Sequence, residues 1–387
     1  MNLAPLRRRS LMQALGLAAL AHPAHPAYAA YAAYPAYPAY PAYAAYPAGL
    51  QFPRDFGAHP AQALEWWYLT GVLSEKDADR PRYGYQLTFF RVRGPAPPDH
   101  PSRFAARQLL LAHAAVTDLA GAQLHHDQRL ARAGFGIAEA SESDCDVHLR
   151  DWFLKRNEAG YRAGFASKTG GFALALRLQT TQAPLLQGQQ GLSRKGPDPA
   201  QFSHYYSQVQ LQTEAQLQLG GKTHQLSGRS WLDHEWSDNL LGTQGGEQAV
   251  GWDWAGVNLA DGGALTVFRL RRADGSQLWA GGSWRRPGGQ TESFAPEQVK
   301  LLPQRLWRSP ASGAHYPVEW HINTPQGSVH LRALLDAQEV DARASTGMRY
   351  WEGASELLSA DGRRLGLGYL EMTGYAGAMK LLQQQQQ

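Results

Sequence analysis

Along residues 205–219 the side chains alternate one by one. Tyr205, Ser207, Val209, Leu211, Thr213, Ala215, Leu217 and Leu219 fall on one phase, and Gln208, Gln210, Gln212, Glu214, Gln216 and Gln218 on the other. Successive side chains of a strand point to opposite faces, so this period of two predicts a half-buried antiparallel strand, or two strands joined by a tight bend. Phe172, Leu174, Leu176 and Leu178 alternate with Ala173, Ala175, Arg177 and Gln179 in the same way. Ala-Asp-Gly corners at 260–262, 273–275 and 360–362 stand between strand-like runs and suit hairpin turns. No long segment carries a 3.6-residue period, so helices should be few and short. The expectation is an all-β chain built from antiparallel barrels or sandwiches. A Gly-, Pro- and Gln-rich stretch from Gln182 to Phe202 is too long for a simple hairpin and could form a rim or lid.

The first residues read as an export signal. Arg7, Arg8 and Arg9 precede an apolar run from Leu11 to Ala21, and Ala19-Leu20-Ala21 is a small-x-small cleavage site. The run Arg8-Arg9-Ser10-Leu11-Met12-Gln13 resembles a twin-arginine signal; an ordinary secretory signal is the alternative. Either predicts a periplasmic or secreted protein. Removing residues 1–21 takes the formal charge from +4 to about +1, and no basic stripe argues for nucleic acid. Cys145 is the one cysteine, so no intrachain disulfide can form. Residues 22–49 repeat Pro-Ala-Tyr and Ala-Ala-Tyr triplets and are expected to be a disordered tether, with a Gln-rich tail at 381–387.

Chemistry is concentrated in four aromatic and acidic motifs. Trp231, Asp233, His234, Glu235, Trp236, Trp252, Asp253 and Trp254 fall within 24 residues. Indole faces supply apolar walls and can stabilise a cation, while a carboxyl held among them loses hydration and favours its neutral, proton-donating form. Strand alternation puts His234 and Trp236 on one face, with Trp231, Asp233 and Glu235 on the other. His234 is either a hydrogen-bonded barrel histidine or a functional one. Asp253, between two indoles, is either a structural acid or the proton donor. In Leu64-Glu65-Trp66-Trp67-Tyr68, Glu65 and Trp67 share one face and Trp66 and Tyr68 the other. Tyr350-Trp351-Glu352-Gly353 and Gly368-Tyr369-Leu370-Glu371 close the set; Glu371 continues an apolar face, which is costly unless it is paired or protonated. His-Glu-Trp-Ser-Asp lacks the second histidine of a helical zinc motif, which argues against a metalloprotease, and no phosphate loop or nucleophile elbow is present.

Taken in order over residues 50–378, these motifs, together with Gly191-Leu192-Ser193-Arg194-Lys195-Gly196 and Ser203-His204-Tyr205-Tyr206-Ser207, resemble the AttH/CrtC superfamily. Its members are often labelled predicted secreted hydrolases or carotenoid 1,2-hydratase-like proteins. The resemblance implies two lipocalin-like β-barrels packed together, one over 50–238 and one over 239–380, with a ligand cavity at or near their interface. It implies cofactor-free hydration of an alkene, with His234, Glu235, Asp253 and Trp236 as the catalytic candidates. Glu65, Trp67, Tyr68, Tyr205, Trp252, Trp254, Tyr350, Trp351, Tyr369 and Glu371 are the ligand-binding candidates. The expected partner is a hydrophobic small molecule or lipid. The rival reading is a non-enzymatic periplasmic carrier or chaperone for a lipid or lipoprotein, associated with a membrane transporter. Oligomeric state is not readable from these residues.

Overall fold

The computed structural model describes residues 49–379 apart from 76, 77, 79, 98 and 243–246; the expected export signal, nearly all of the tether and the Gln-rich tail lie outside these residues. Strands dominate. Helical structure among the described residues is limited to one-turn segments such as Arg54–Phe56 and Arg343–Thr346, and no helix is long and apolar enough to cross a membrane. A 13-stranded antiparallel sheet rolls into a nearly closed barrel, and a 10-stranded antiparallel sheet follows it in the chain.

Nine strands position the site. The first sheet supplies β1 (Leu64–Glu75), β2 (Tyr83–Arg93), β3 (Gln108–Asp118), β4 (Phe202–Leu219) and β5 (Lys222–Ser237), with β1 between β2 and β5. The second supplies β6 (Gly251–Leu259), β7 (Ala264–Arg271), β8 (Met348–Leu358) and β9 (Arg364–Met372), with β6 between β7 and β9. The three Asp-Gly corners close hairpins. In the β6–β7 turn Gly262 sits at φ 90°, a left-handed conformation that a side chain would strain.

Each sheet wraps its own apolar core, and a third core fills the seam between them. Leu69, Leu87, Trp152 and Leu217 pack inside the first barrel, and Val257, Trp320, Leu331 and Trp351 inside the second. Tyr68, Val209, Trp231, Trp254, Phe268 and Tyr369 pack across the seam. Strands β1 and β5 are therefore covered on both faces. That is why their burial is nearly continuous at the site end, even though their chemistry alternates.

The 205–219 run is one long strand, not two, but its single-face reading fails at Gln210. There φ is 55° and the pairing with β5 slips between Gln208 and Leu211, forming a bulge. The extra residue exchanges the faces. Leu211, Ala215 and Leu217 point into the barrel core, whereas Tyr205, Ser207 and Val209 face the second sheet. The bulge is pinned from the other side of the seam. Gln210 N donates to Asn258 Oδ1 at 2.7 Å, and Gln210 Nε2 donates to the carbonyls of Leu259 (2.9 Å) and Gly263 (2.7 Å).

The Gln182–Phe202 stretch is a strap rather than a free lid. Its short strands Leu185–Leu186 and Leu192–Arg194 pair with β4, and Lys195 at its end is buried in the seam. Gln210→Ala removes two buried side-chain bonds across the seam and places a less tolerant residue at positive φ. It is expected to lower the unfolding free energy by about 1–3 kcal/mol, measured by urea denaturation.

Candidate functional site

Alternation on strands covered from both sides builds two separate polar sites. On β1, Leu64, Trp66 and Tyr68 face the seam; on β5, Asp233 and Glu235 do, with Tyr68 opposite Asp233 and Trp66 opposite Glu235 in register. The second sheet answers with Trp252 and Trp254 from β6, Phe268 from β7, Tyr350 and Glu352 from β8, and Glu371 from β9. Glu352 and Glu371 are direct cross-strand partners, and Trp254 is the cross-strand partner of Glu371 on its other side. Facing cross-strand residues have Cβ atoms about 4.5–5.5 Å apart, so the two carboxyls share one small space. Together these walls surround about 880 Å³ of space not filled by atoms, open solvent at the mouth included.

The four carboxyls of this cavity are held in different states. Glu235 has a cation: Lys195 Nζ lies 2.7 Å from its Oε1, and Ser203 Oγ donates to the same oxygen. Asp233 has hydrogen bonds but no cation. Ser207 Oγ (2.5 Å) and Trp231 Nε1 (2.7 Å) donate to its Oδ1, and Tyr205 OH (2.9 Å) donates to its Oδ2. Burial outweighs these donors, and with Glu235 nearby the Asp233 carboxyl is pushed up to about 7. Loss of hydration, with Asp233 and Glu235 adding their charge, pushes Glu371 up to about 8 despite the Trp252 indole beside it. Glu352 is driven well above the usual carboxylate range by burial and by Glu371. Its Oε1, and the Tyr68 hydroxyl near it, make no well-formed hydrogen bond among the described residues. The cavity thus presents neutral carboxyl groups to an aromatic space at neutral pH. His113, hydrogen bonded to Tyr350 OH and Ser345 Oγ at 2.8 Å each, is pushed down to about 3 by burial and stays neutral.

The opposite face of the same strands carries a closed network inside the first barrel. Glu65 accepts from the His59 backbone N–H, from His59 Nδ1 (2.8 Å), from His234 Nε2 (2.9 Å) and from Arg91 Nε (2.6 Å). Those donors overcome its burial and hold its carboxyl far below the ordinary range. The His59 ring stacks on Trp236 at 3.6 Å, and Trp67 stacks on His234 at 4.6 Å. Burial lowers the His234 pKa, so this imidazole is neutral. His59, Glu65 and His234 do bring one ligand atom each to within 4.8 Å of one another, as a metal site would. Here Arg91 already supplies the positive charge, and every Glu65 oxygen has donors.

The catalytic candidates from sequence therefore separate. Glu235 lines the seam cavity. His234 and Trp236 lie in the closed network of the first barrel. Asp253 lies in the second sheet, facing away from the cavity, with Arg269 Nε at 2.6 Å, Arg271 Nε at 3.0 Å and Tyr375 OH donating to it at 2.9 Å. Among the ligand-binding candidates, Tyr68, Trp252, Trp254, Tyr350 and Glu371 line the cavity. Tyr205 stands behind Asp233, and Tyr369 packs in the seam without lining the cavity. Glu65 and Trp67 belong to the first barrel's interior, and Trp351 to the second's, where its Nε1 donates to Asp336 O. Sequence reasoning left out Asp233, Glu352 and Lys195. The signal for Asp233 was its shared phase with Glu235. For Glu352 it was its shared phase with Tyr350. Lys195 had only its motif.

The comparisons with known proteins fall on the same span. A model of the AttH-like family matches residues 43–375. Among solved structures, the chain is similar to an AttH-type protein from Nitrosomonas europaea, with 42% identity, a TM-score of 0.76, and coverage of 84% of this chain and 97% of that one. It also resembles kievitone hydratase from Nectria haematococca, with 13% identity, a TM-score of 0.62, and coverage of 85% and 93%; this is a likeness of fold. No curated protein matches the chain by sequence.

The two polar sites respond oppositely to pH. Glu65 has a lowered folded-state pKa, so its stabilisation is present above its unfolded value and is lost as acid titrates it. Glu371 has a raised one, so its contribution is full below its unfolded value of 4.5 and is lost as pH rises through about 8. Thermal melts of Glu371→Gln should therefore show a shallower fall in stability across that window than the parent chain. Arg91→Leu strands the Glu65 carboxylate and is expected to lower stability by about 3–5 kcal/mol, read by urea denaturation.

Proposed function

The chain belongs to the AttH-like family, and from that footing we propose that the seam cavity takes up a hydrophobic, alkene-bearing ligand of terpenoid or lipid type and adds water to it. The observation that carries this reading is a set of neutral carboxyls opening into an aromatic, apolar space. The hydratase among the proteins of similar fold supports the same class of chemistry.

The roles follow from the two walls. Glu352, on the second sheet, gives its proton to one alkene carbon, and the neighbouring carbon becomes a cation. The faces of Trp66, Trp252 and Trp254 stabilise that cation through their ring quadrupoles. Asp233, on the first sheet, takes a proton from the water that bonds to the cationic carbon; a base with a pKa near 7 is well matched to this task. One C–H bond and one C–O bond replace the π bond. The proton gained by Asp233 returns to Glu352 through Glu371, which interacts with both. The acid and the base stand on opposite walls, so the proton and the hydroxyl arrive from opposite sides of the double bond.

With a turned-over alkene in heavy water, one deuterium should appear on carbon in the product. Glu352→Gln and Asp233→Asn are each expected to lower kcat by about 10²–10⁴-fold. The rate should rise as Asp233 ionises near pH 7 and fall at higher pH as Glu352 loses its proton. A ligand recovered unchanged, with no deuterium on carbon, would instead favour the carrier reading. The largely apolar lining of the cavity is what supports that alternative. Export to the periplasm, suggested by the basic and apolar leader, belongs to both proposals.

A further inference from the structure

Four carboxyls line the seam cavity, and the structure places one cation among them. Lys195 pairs with Glu235, so Asp233, Glu352 and Glu371 have no ion pair among the described residues. Lys195 also shows how this environment holds an ammonium group. Its Nζ lies 2.7 Å from a carboxylate oxygen, 4.4 Å from the centre of the Phe268 ring and 4.8 Å from that of Tyr205. A carboxylate on one side and ring faces on the others is the combination that recognises organic cations. Elsewhere along the same cavity these elements recur. Glu352 and Glu371 face one another across adjacent strands, beside Trp252, Trp254 and the edge of Tyr68. There the buried Glu352 Oε1 and Tyr68 OH lack a well-formed hydrogen bond among the described residues.

We propose that the seam cavity binds an amphiphilic organic cation, with its ammonium head seated between Glu352, Glu371 and the Trp252–Trp254 faces and its apolar tail along Trp66, Phe90 and Phe268. This rests on reading the cavity as the ligand site and does not require that water be added there. Within the hydration proposal the cation would occupy the place of the carbocation. Desolvated carboxyls that are not neutralised by a proton must be neutralised by a cation. Binding the ammonium therefore releases a proton to solvent, and affinity rises with pH. A neutral ligand of the same length has no such dependence, and an anionic one is repelled.

The test uses the full chain and three probes of equal tail length: decylammonium, decanol and decanoate. Each is titrated below its micelle concentration at about pH 6 and about pH 8.5, a window in which the amine stays charged. Tryptophan fluorescence and calorimetry in two buffers of different ionisation enthalpy report binding and proton release. At the higher pH, decylammonium is expected to bind about tenfold more tightly than decanol, with net proton release. Glu371→Gln should abolish most of that preference. Equal affinity of decanol and decylammonium at both pH values, or ammonium binding without proton release, would overturn the cation assignment while leaving the cavity as an apolar ligand site. Failure of all three probes to bind would overturn the cavity reading as well.

Discussion

Everything at the site follows from strands that are buried on both faces. A strand at the surface of a barrel shows one face to water, and its polar residues need no arrangement. On β1 and β5 neither face is wet, so each polar side chain must find partners on the side to which the pleat sends it. One side is the barrel interior, where Glu65 accepts from His59, His234 and Arg91, and Asp55, Tyr206 and Gln108 take their remaining side-chain bonds. The other is the seam, where Asp233 and Glu235 meet carboxyls of the second sheet and a single lysine. The same two strands thus carry a closed electrostatic system and an open one, separated by the thickness of one backbone.

The contrast between these systems distinguishes a structural carboxylate from one available to a ligand. Glu65 is as deeply buried as any group here, yet donors and a guanidinium keep it ionised. Asp253 is ion-paired with Arg269 and Arg271. Glu352 is equally enclosed but faces another carboxyl and no cation, and the Tyr68 and Tyr350 hydroxyls offset its burial only in part. Depth alone does not make an acid reactive; the count of positive charges within reach does.

Much of the fold was legible because alternation, hairpin corners and the shortage of helical periods all pointed to antiparallel sheets, which the structure contains. Phase was legible too: the division of Trp66 and Tyr68 from Glu65 and Trp67, and of Asp233 and Glu235 from His234 and Trp236, is the observed one. Which face would hold the open cavity was not legible, because both faces are rich in rings and charges. His234 and Trp236 have the same composition signal as Glu235. What separates them is Arg91 and His59, brought in from distant segments. The pairing of Glu352 with Glu371 needed strand register, and the arrival of Lys195 needed the path of the strap; neither is encoded within a local window.

The bulge at Gln210 acts as a splice between two side-chain phases of one strand. Upstream of it the seam residues carry odd numbers, and downstream the barrel residues do. Losing one residue there would rotate every upstream position by one face, sending Tyr205 and Ser207 into the barrel and Tyr206 into the seam. At the splice, chain length is thus fixed by what lies on both sides of the sheet.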